Sequence, residues 1–194
     1  SKKIRAVWKS KGEKGERVSS SVPYGYMKSP DNPKQWIVDE PVAEIVRYIY
    51  KLCIEGLGPT QIAKRLTREQ ILTPTAYSMS LGKAVSNKNI TDPYKWVTET
   101  VKRILADRQY TGCTVNFKST ILSYKVHKKI KNDESKWQII PNTQEAIIDE
   151  DTFNRVQELR NSRRRNSATG RTSLFSGLTY CADCGSKLYF CASK

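Results

Sequence analysis

The chain has 194 residues, with 34 Lys and Arg against 19 Asp and Glu, so that it carries +15 at pH 7 with 38% hydrophobic residues. That length suits one domain with a small appendage. No apolar run approaches the ~18 residues of a membrane span, and no signal-peptide pattern opens the chain.

Five cysteines, two of them in a Cys-x-x-Cys, fit a reducing cytoplasm better than a disulfide framework. The charged start at Ser1-Lys2-Lys3 reads as a piece cut from a longer protein. The positive excess is spread along the chain, with +4 in residues 1–40 and +4 in residues 76–120. A surface basic throughout points to a polyanion, nucleic acid first and an anionic membrane second.

Residues 1–22 read as the end of a basic helix running into a Gly- and Ser-rich linker, with Ile4, Val7 and Trp8 as a short apolar stripe. Val22–Tyr26 and Trp36–Val38 read as two strands joined by a Pro- and Asn-rich turn. Asp39 is placed to cap a helix whose apolar face is Val42, Ile45, Val46, Ile49, Leu52 and Cys53, and Gly56 ends it. A second helix starts with Gly58 as N-cap and Pro59 in its first turn, and buries Ile62, Ala63 and Leu66.

Residues 72–95 read as a long polar connection. A third helix spans about Thr98 to Asp107, with Val101, Ile104 and Leu105 inward. Tyr110–Phe117 alternates like a strand, and Ile121–Ile130 and Trp137–Ile140 add two more. Asp149 caps a fourth helix with Phe153, Val156 and Leu159 on one side, and residues 166–173 form a linker. The expected class is α+β: a winged-helix or helix-turn-helix-like helical core with a small antiparallel sheet, a C-terminal helix and a truncated zinc ribbon. The expected boundaries are 1–22, 23–165, 166–173 and 174–194.

Direct readout of double-stranded DNA is expected from Thr98, Thr100, Lys102 and Arg103 on the third helix, since a major groove admits a helix and Arg pairs with guanine. The same residues also suit the solvated face of an amphipathic helix. Thr60 and Gln61, at a helix start, suit a phosphate. Lys2, Lys3, Arg5, Lys9 and Arg17 suit backbone tracking or a minor-groove arm, and Arg108 joins the basic set.

Cys181-Ala182-Asp183-Cys184-Gly185 has the form of a zinc knuckle, but structural zinc takes four ligands and only two stand in motif spacing. Cys191 follows in an apolar stretch, and Cys53 and Cys113 read as buried thiols. The carboxylates of Asp39-Glu40 and Asp149-Glu150-Asp151 stand at helix starts, where capping explains them. His127 is alone among lysines, so no catalytic constellation is expected in this chain.

Taken in order, Val22-Pro23-Tyr24-Gly25-Tyr26, Trp36-Ile37-Val38-Asp39, Gly56, Ile62-Ala63 and Leu66 resemble the recombinase domain of large serine recombinases. The resemblance continues through Trp96, Val101, Ile104-Leu105, Asp107, Tyr110, Gly112, Ile147-Ile148-Asp149, Phe153 and Val156 to the cysteine turn at 178–185. It departs at Gly58 and Val97, where the family often has Ser, and at Gln70, often Gly.

The resemblance implies a phage integrase or mobile-element transposase whose serine, on a separate N-terminal domain, forms a phosphoserine link to DNA. It implies that this chain carries half-site recognition and no nucleophile, that the parent binds zinc, and that the parent acts as a dimer or tetramer while this piece is monomeric. A winged-helix transcription regulator and an RNA-binding zinc-ribbon protein are the rival readings.

Overall fold

The computed structural model describes residues 2–19, 21–83, 85, 90–121, 126, 128–161, 175, 178–186 and 188. The expectations for His127, Cys191 and the 166–173 linker lie outside those residues. The element order is α1 (Lys2–Glu13), β1 (Tyr26–Lys28), β2 (Trp36–Val38), α2 (Glu40–Ile54), α3 (Pro59–Arg68), α4 (Pro74–Ser80) and α5 (Thr98–Ala106). It continues with β3 (Thr114–Asn116), β4 (Ser119–Ile121), β5 (Lys129–Lys131), β6 (Gln138–Ile140) and α6 (Glu150–Asn161).

Helices α2, α3, α5 and α6 pack around one core because each carries apolar residues at helical spacing. Val46 and Ile49 of α2, Ile62 and Leu66 of α3, Val101 and Leu105 of α5 and Val156 of α6 are all fully buried. An aromatic chain ties the first hairpin to α6. Trp36, Tyr26, Tyr110, Tyr50 and Phe153 follow one another with ring centroids 6.1–6.5 Å apart, within the favourable range for aromatic pairs.

Four expectations about local structure change. The 72–95 connection contains α4, started by Thr73, whose Oγ1 accepts from the Ala76 N–H at 3.3 Å, with Pro74 in the first turn. Asp39 precedes α2, but its side chain makes no cap hydrogen bond. Its buried carboxylate instead accepts from the Tyr77 hydroxyl at 2.8 Å and so pins α4 to the start of α2.

The strand expected over Tyr110–Phe117 begins only at Thr114. Asp107 caps a 3-10 turn over Arg108–Thr111, and Gly112 turns left-handed at φ 81°. A Cβ on Gly112 would stand 2.8 Å from the Gln144 carbonyl oxygen, so only glycine fits that turn. Finally, the small sheet is three separate two-stranded antiparallel ladders, β1–β2, β3–β6 and β4–β5. The β3–β6 ladder aligns Thr114 with Ile140, and the β4–β5 ladder aligns Thr120 with Ile130.

Candidate nucleic-acid interface

Helix α5 is held from both ends, which fixes the face it shows to solvent. Its last carbonyls are satisfied by side chains: the Tyr50 hydroxyl donates to Ile104 O at 3.2 Å, and Gln157 Nε2 donates to Leu105 O at 2.8 Å. Ahead of it, Trp96 donates its backbone N–H to Thr67 Oγ1 and its indole N–H to Ile71 O, fastening the entry to α3.

At 100° per residue, burial of Val101, Ile104 and Leu105 turns Glu99, Lys102, Arg103 and Ala106 to solvent. Thr98 and Thr100 are half-buried on opposite flanks of that face. The four residues expected to act together therefore divide into a central pair, Lys102 and Arg103, and two hydroxyl flanks. Lys102 makes an exposed ion pair with Glu99 at 3.7 Å. Arg103 has no hydrogen-bond or ion-pair partner among the described residues.

The start of α3 lies beside the start of α5, with the Thr98 hydroxyl 3.3 Å from that of Thr60. Gln61 is occupied elsewhere: its Oε1 accepts from the Gly58 N–H at 2.8 Å, closing the first turn of α3. Arg108 is neutralised by Glu150 at 2.5 Å. It lines a cleft of about 610 Å³ with Lys102, Trp137 and Arg160, between α5 and α6.

A family model described as Recombinase matches residues 40–163. The chain belongs to the Recombinase family, that of the large serine recombinases. Among solved structures, the chain is similar to a crystal structure of an LSR–DNA complex, with TM-score 0.53 and 20% identity over 95% of this chain and 47% of that one. It is also similar, with TM-score 0.45 and 20% identity, to a structure from work on the sequence requirements of the Listeria innocua prophage attP site, over 94% of this chain and 62% of that one. The first likeness shows the fold, and the chain spans about half of that relative's length. Comparison with curated proteins gives no match.

Two described regions of this family member lie outside the matched span. In α1, Lys3 and Lys9 are exposed, Lys9 pairs with Glu13 at 3.7 Å, and Ile4, Val7 and Trp8 are more than half exposed. The side chains of Lys2 and Arg5 are outside the described set. Arg17 faces inward: its guanidinium lies 3.5 Å above the Trp36 ring, donates to Lys34 O at 3.0 Å and to Thr114 Oγ1 at 2.8 Å, and also bonds Gln144. Desolvation lowers its pKa from the usual arginine value, the mark of a cation drawn into the protein.

Asn116 completes this clasp. Its Nδ2 donates to Gly12 O and Glu16 O, and its Oδ1 accepts from the Val18 N–H. Gly12 permits the approach, since a Cβ there would collide with the Phe117 ring at 2.2 Å.

The second region is the cysteine turn. Cys181 N–H donates to Ser186 O at 2.8 Å, and Gly185 N–H donates to Cys181 O at 2.9 Å with φ 65° at the glycine. Hydrogen bonds from Ser186, and then from Cys181, hold the Cys184 thiol below the usual cysteine value. Two thiols on one turn fit half of a tetrahedral thiolate site for zinc. Among the described residues, no group of three or more His, Cys, Asp or Glu could hold a metal. Cys53 and Cys113 are buried, and burial pushes the Cys113 thiol up.

Sequence reasoning singled out none of Lys128, Lys129 and Lys131, which stand exposed on and beside β5. The available signal was a run from residue 108 to 132 with six basic side chains and no acidic one.

Proposed function

We propose that this chain is the DNA-binding part of a site-specific serine recombinase and recognises one half of an attachment site in double-stranded DNA. The observation that carries this reading is the solvent face of α5, where Arg103 is exposed beside Lys102 and has no partner among the described residues, on a helix locked by Tyr50, Gln157 and Trp96. A rigid helix with an exposed guanidinium suits bidentate recognition of guanine in the major groove. The hydroxyls of Thr60 and Thr98, together at the paired helix starts, suit a phosphate at the groove edge.

Family membership and the +15 charge support the same reading. Arg17 and Gln61 serve the fold in this account, and Lys3 and Lys9 follow the backbone. In the parent, Cys181 and Cys184 supply two of the zinc ligands, and strand cleavage belongs to a catalytic domain with its own serine.

The test is selection of bound duplexes from a randomised pool. Enrichment of one defined motif, abolished by Arg103→Ala at one of its base pairs, is the expected result. Retention without enrichment, or preference for structured RNA over duplex, would refute it.

A further inference from the structure

We propose that the β4–β5 ribbon is a second DNA-binding element, which lies in a groove of the duplex and holds phosphates with Lys128, Lys129 and Lys131. This rests on the DNA-binding reading above and adds a contact that α5 does not make. The ribbon is short and largely exposed on both faces. Ser119 opposite Lys131 and Ile121 opposite Lys129 share one face, and Thr120 opposite Ile130 is on the other. Every residue of β5 is exposed, as are Thr120 and Ile121 of β4.

A two-stranded ribbon without a core beneath it is marginal on its own in water. This one is secured at its root. Asn132 donates its backbone N–H to Lys118 O at 3.0 Å and its Nδ2 to Phe117 O at 2.7 Å, and its side-chain amide also exchanges hydrogen bonds with the Thr120 hydroxyl. Trp137 donates its indole N–H to Asn132 O at 3.2 Å. Lys118 pairs with Asp107 at 2.6 Å and thereby fastens the root of the ribbon to the C-terminal end of α5.

The charges on the ribbon are of two kinds. Lys118 is neutralised at the root. Lys128, Lys129 and Lys131 have no ion-pair partner among the described residues, and Lys129 and Lys131 repel each other on one face, roughly 7 Å apart at strand spacing. Lysines on an edge strand also discourage the addition of a further strand. That role does not account for Ile121, on the lysine face, or Ile130, on the other, which are 51% and 42% exposed.

Duplex DNA accounts for both features. A major groove about 12 Å wide admits a two-stranded ribbon, its walls are phosphates that relieve the lysine repulsion, and its floor carries thymine methyl groups for apolar contact. The attachment at Asp107 joins the root of the ribbon to the end of α5, next to the helix that the proposed reading places in the groove.

The experiment compares the full chain with a variant carrying Lys128→Gln, Lys129→Gln and Lys131→Gln, and with a second carrying Arg at the same positions. Binding to a mixed-sequence duplex is followed by fluorescence anisotropy across salt. Three lost phosphate contacts make the slope of log K against log salt shallower by about 2.7, so that the unaltered chain loses about 40-fold more affinity than the Gln variant between roughly 50 and 200 mM salt. The Arg variant keeps the steep slope. Lysine acetylation read by mass spectrometry shows Lys129 and Lys131 protected by the duplex and Lys51 not.

An unchanged slope in the Gln variant, or equal acetylation with and without duplex, overturns the ribbon proposal and leaves the α5 reading standing. An unaltered chain that binds no duplex overturns both.

Discussion

Replacing Arg17 with Ala should cost about 3 kcal/mol of folding stability. Its guanidinium makes three hydrogen bonds, to Lys34 O, Thr114 and Gln144, and lies 3.5 Å over the Trp36 ring. Hydrogen bonds from a charged group are each worth about 1.5–3 kcal/mol on removal, and a guanidinium over Trp about 0.5–2 kcal/mol.

Arg17 is only half-buried, so the low end of each range applies. Its Nε is buried without a hydrogen-bond partner among the described residues, which takes something back. Ordering the long side chain costs up to about 2 kcal/mol more. About 3 kcal/mol remains, which lowers Tm by about 6–12 °C in a chain of this size.

Urea unfolding measures the loss, and hydrogen exchange locates it. The Val18 amide, held by Asn116, should exchange faster in the variant than the core amides of α2 do. Arg17→Lys keeps the charge but not the fork, and should lose about half as much. A loss below about 1 kcal/mol for Arg17→Ala, with Val18 still protected, would refute the clasp and return Arg17 to the DNA-binding set.

Gln70 ends α3 in the left-handed region at φ 52°, a conformation glycine adopts without strain. Gln70→Gly should therefore stabilise the chain by about 0.5–1 kcal/mol in the same urea assay. Gln61→Ala removes the bond to Gly58 N–H and should cost about 1 kcal/mol, with sequence preference on DNA unchanged. Burial raises the Tyr26, Tyr50 and Tyr110 hydroxyl pKa values, and burial, followed by the hydrogen bond to Asp39, pushes Tyr77 up to about 12. Above pH ~10 the unfolded chain gives up these protons before the folded one, so stability falls as pH rises past that point; alkaline unfolding followed by circular dichroism checks the sign.

The helical core was legible because the spacing of Val42 to Cys53, Ile62 to Leu66 and Val101 to Leu105 leaves each helix one way to bury its apolar face. Where the reading failed, a local signal had been outweighed by pattern. Thr73-Pro74 is a helix start inside a stretch whose weak periodicity suggested a loop. Asp107 and Gly112 bracket a tight turn that runs into the Tyr110–Phe117 stretch, whose alternation suggested a strand.

Gly58 and Gln61, three apart, have the spacing of a capping box, so the engagement of Gln61 was readable. Arg17 was not. Its partners Thr114 and Gln144 lie 97 and 127 residues away along the chain, and only folding shows that this cation turns inward while its neighbours face solvent. The division of the α5 set is intermediate, since helix geometry separates Thr98 and Thr100 once the buried side is known.

In the proposed function, α5 reads sequence through Arg103. Its most direct test is the affinity of the unaltered chain and of Arg103→Ala for a selected duplex and for the same duplex changed at one base pair at a time. Arg103→Ala should cost about 1–3 kcal/mol on the selected duplex and erase discrimination at one base pair only. Equal losses on selected and scrambled duplexes would contradict it, leaving Arg103 one more charge on a basic surface.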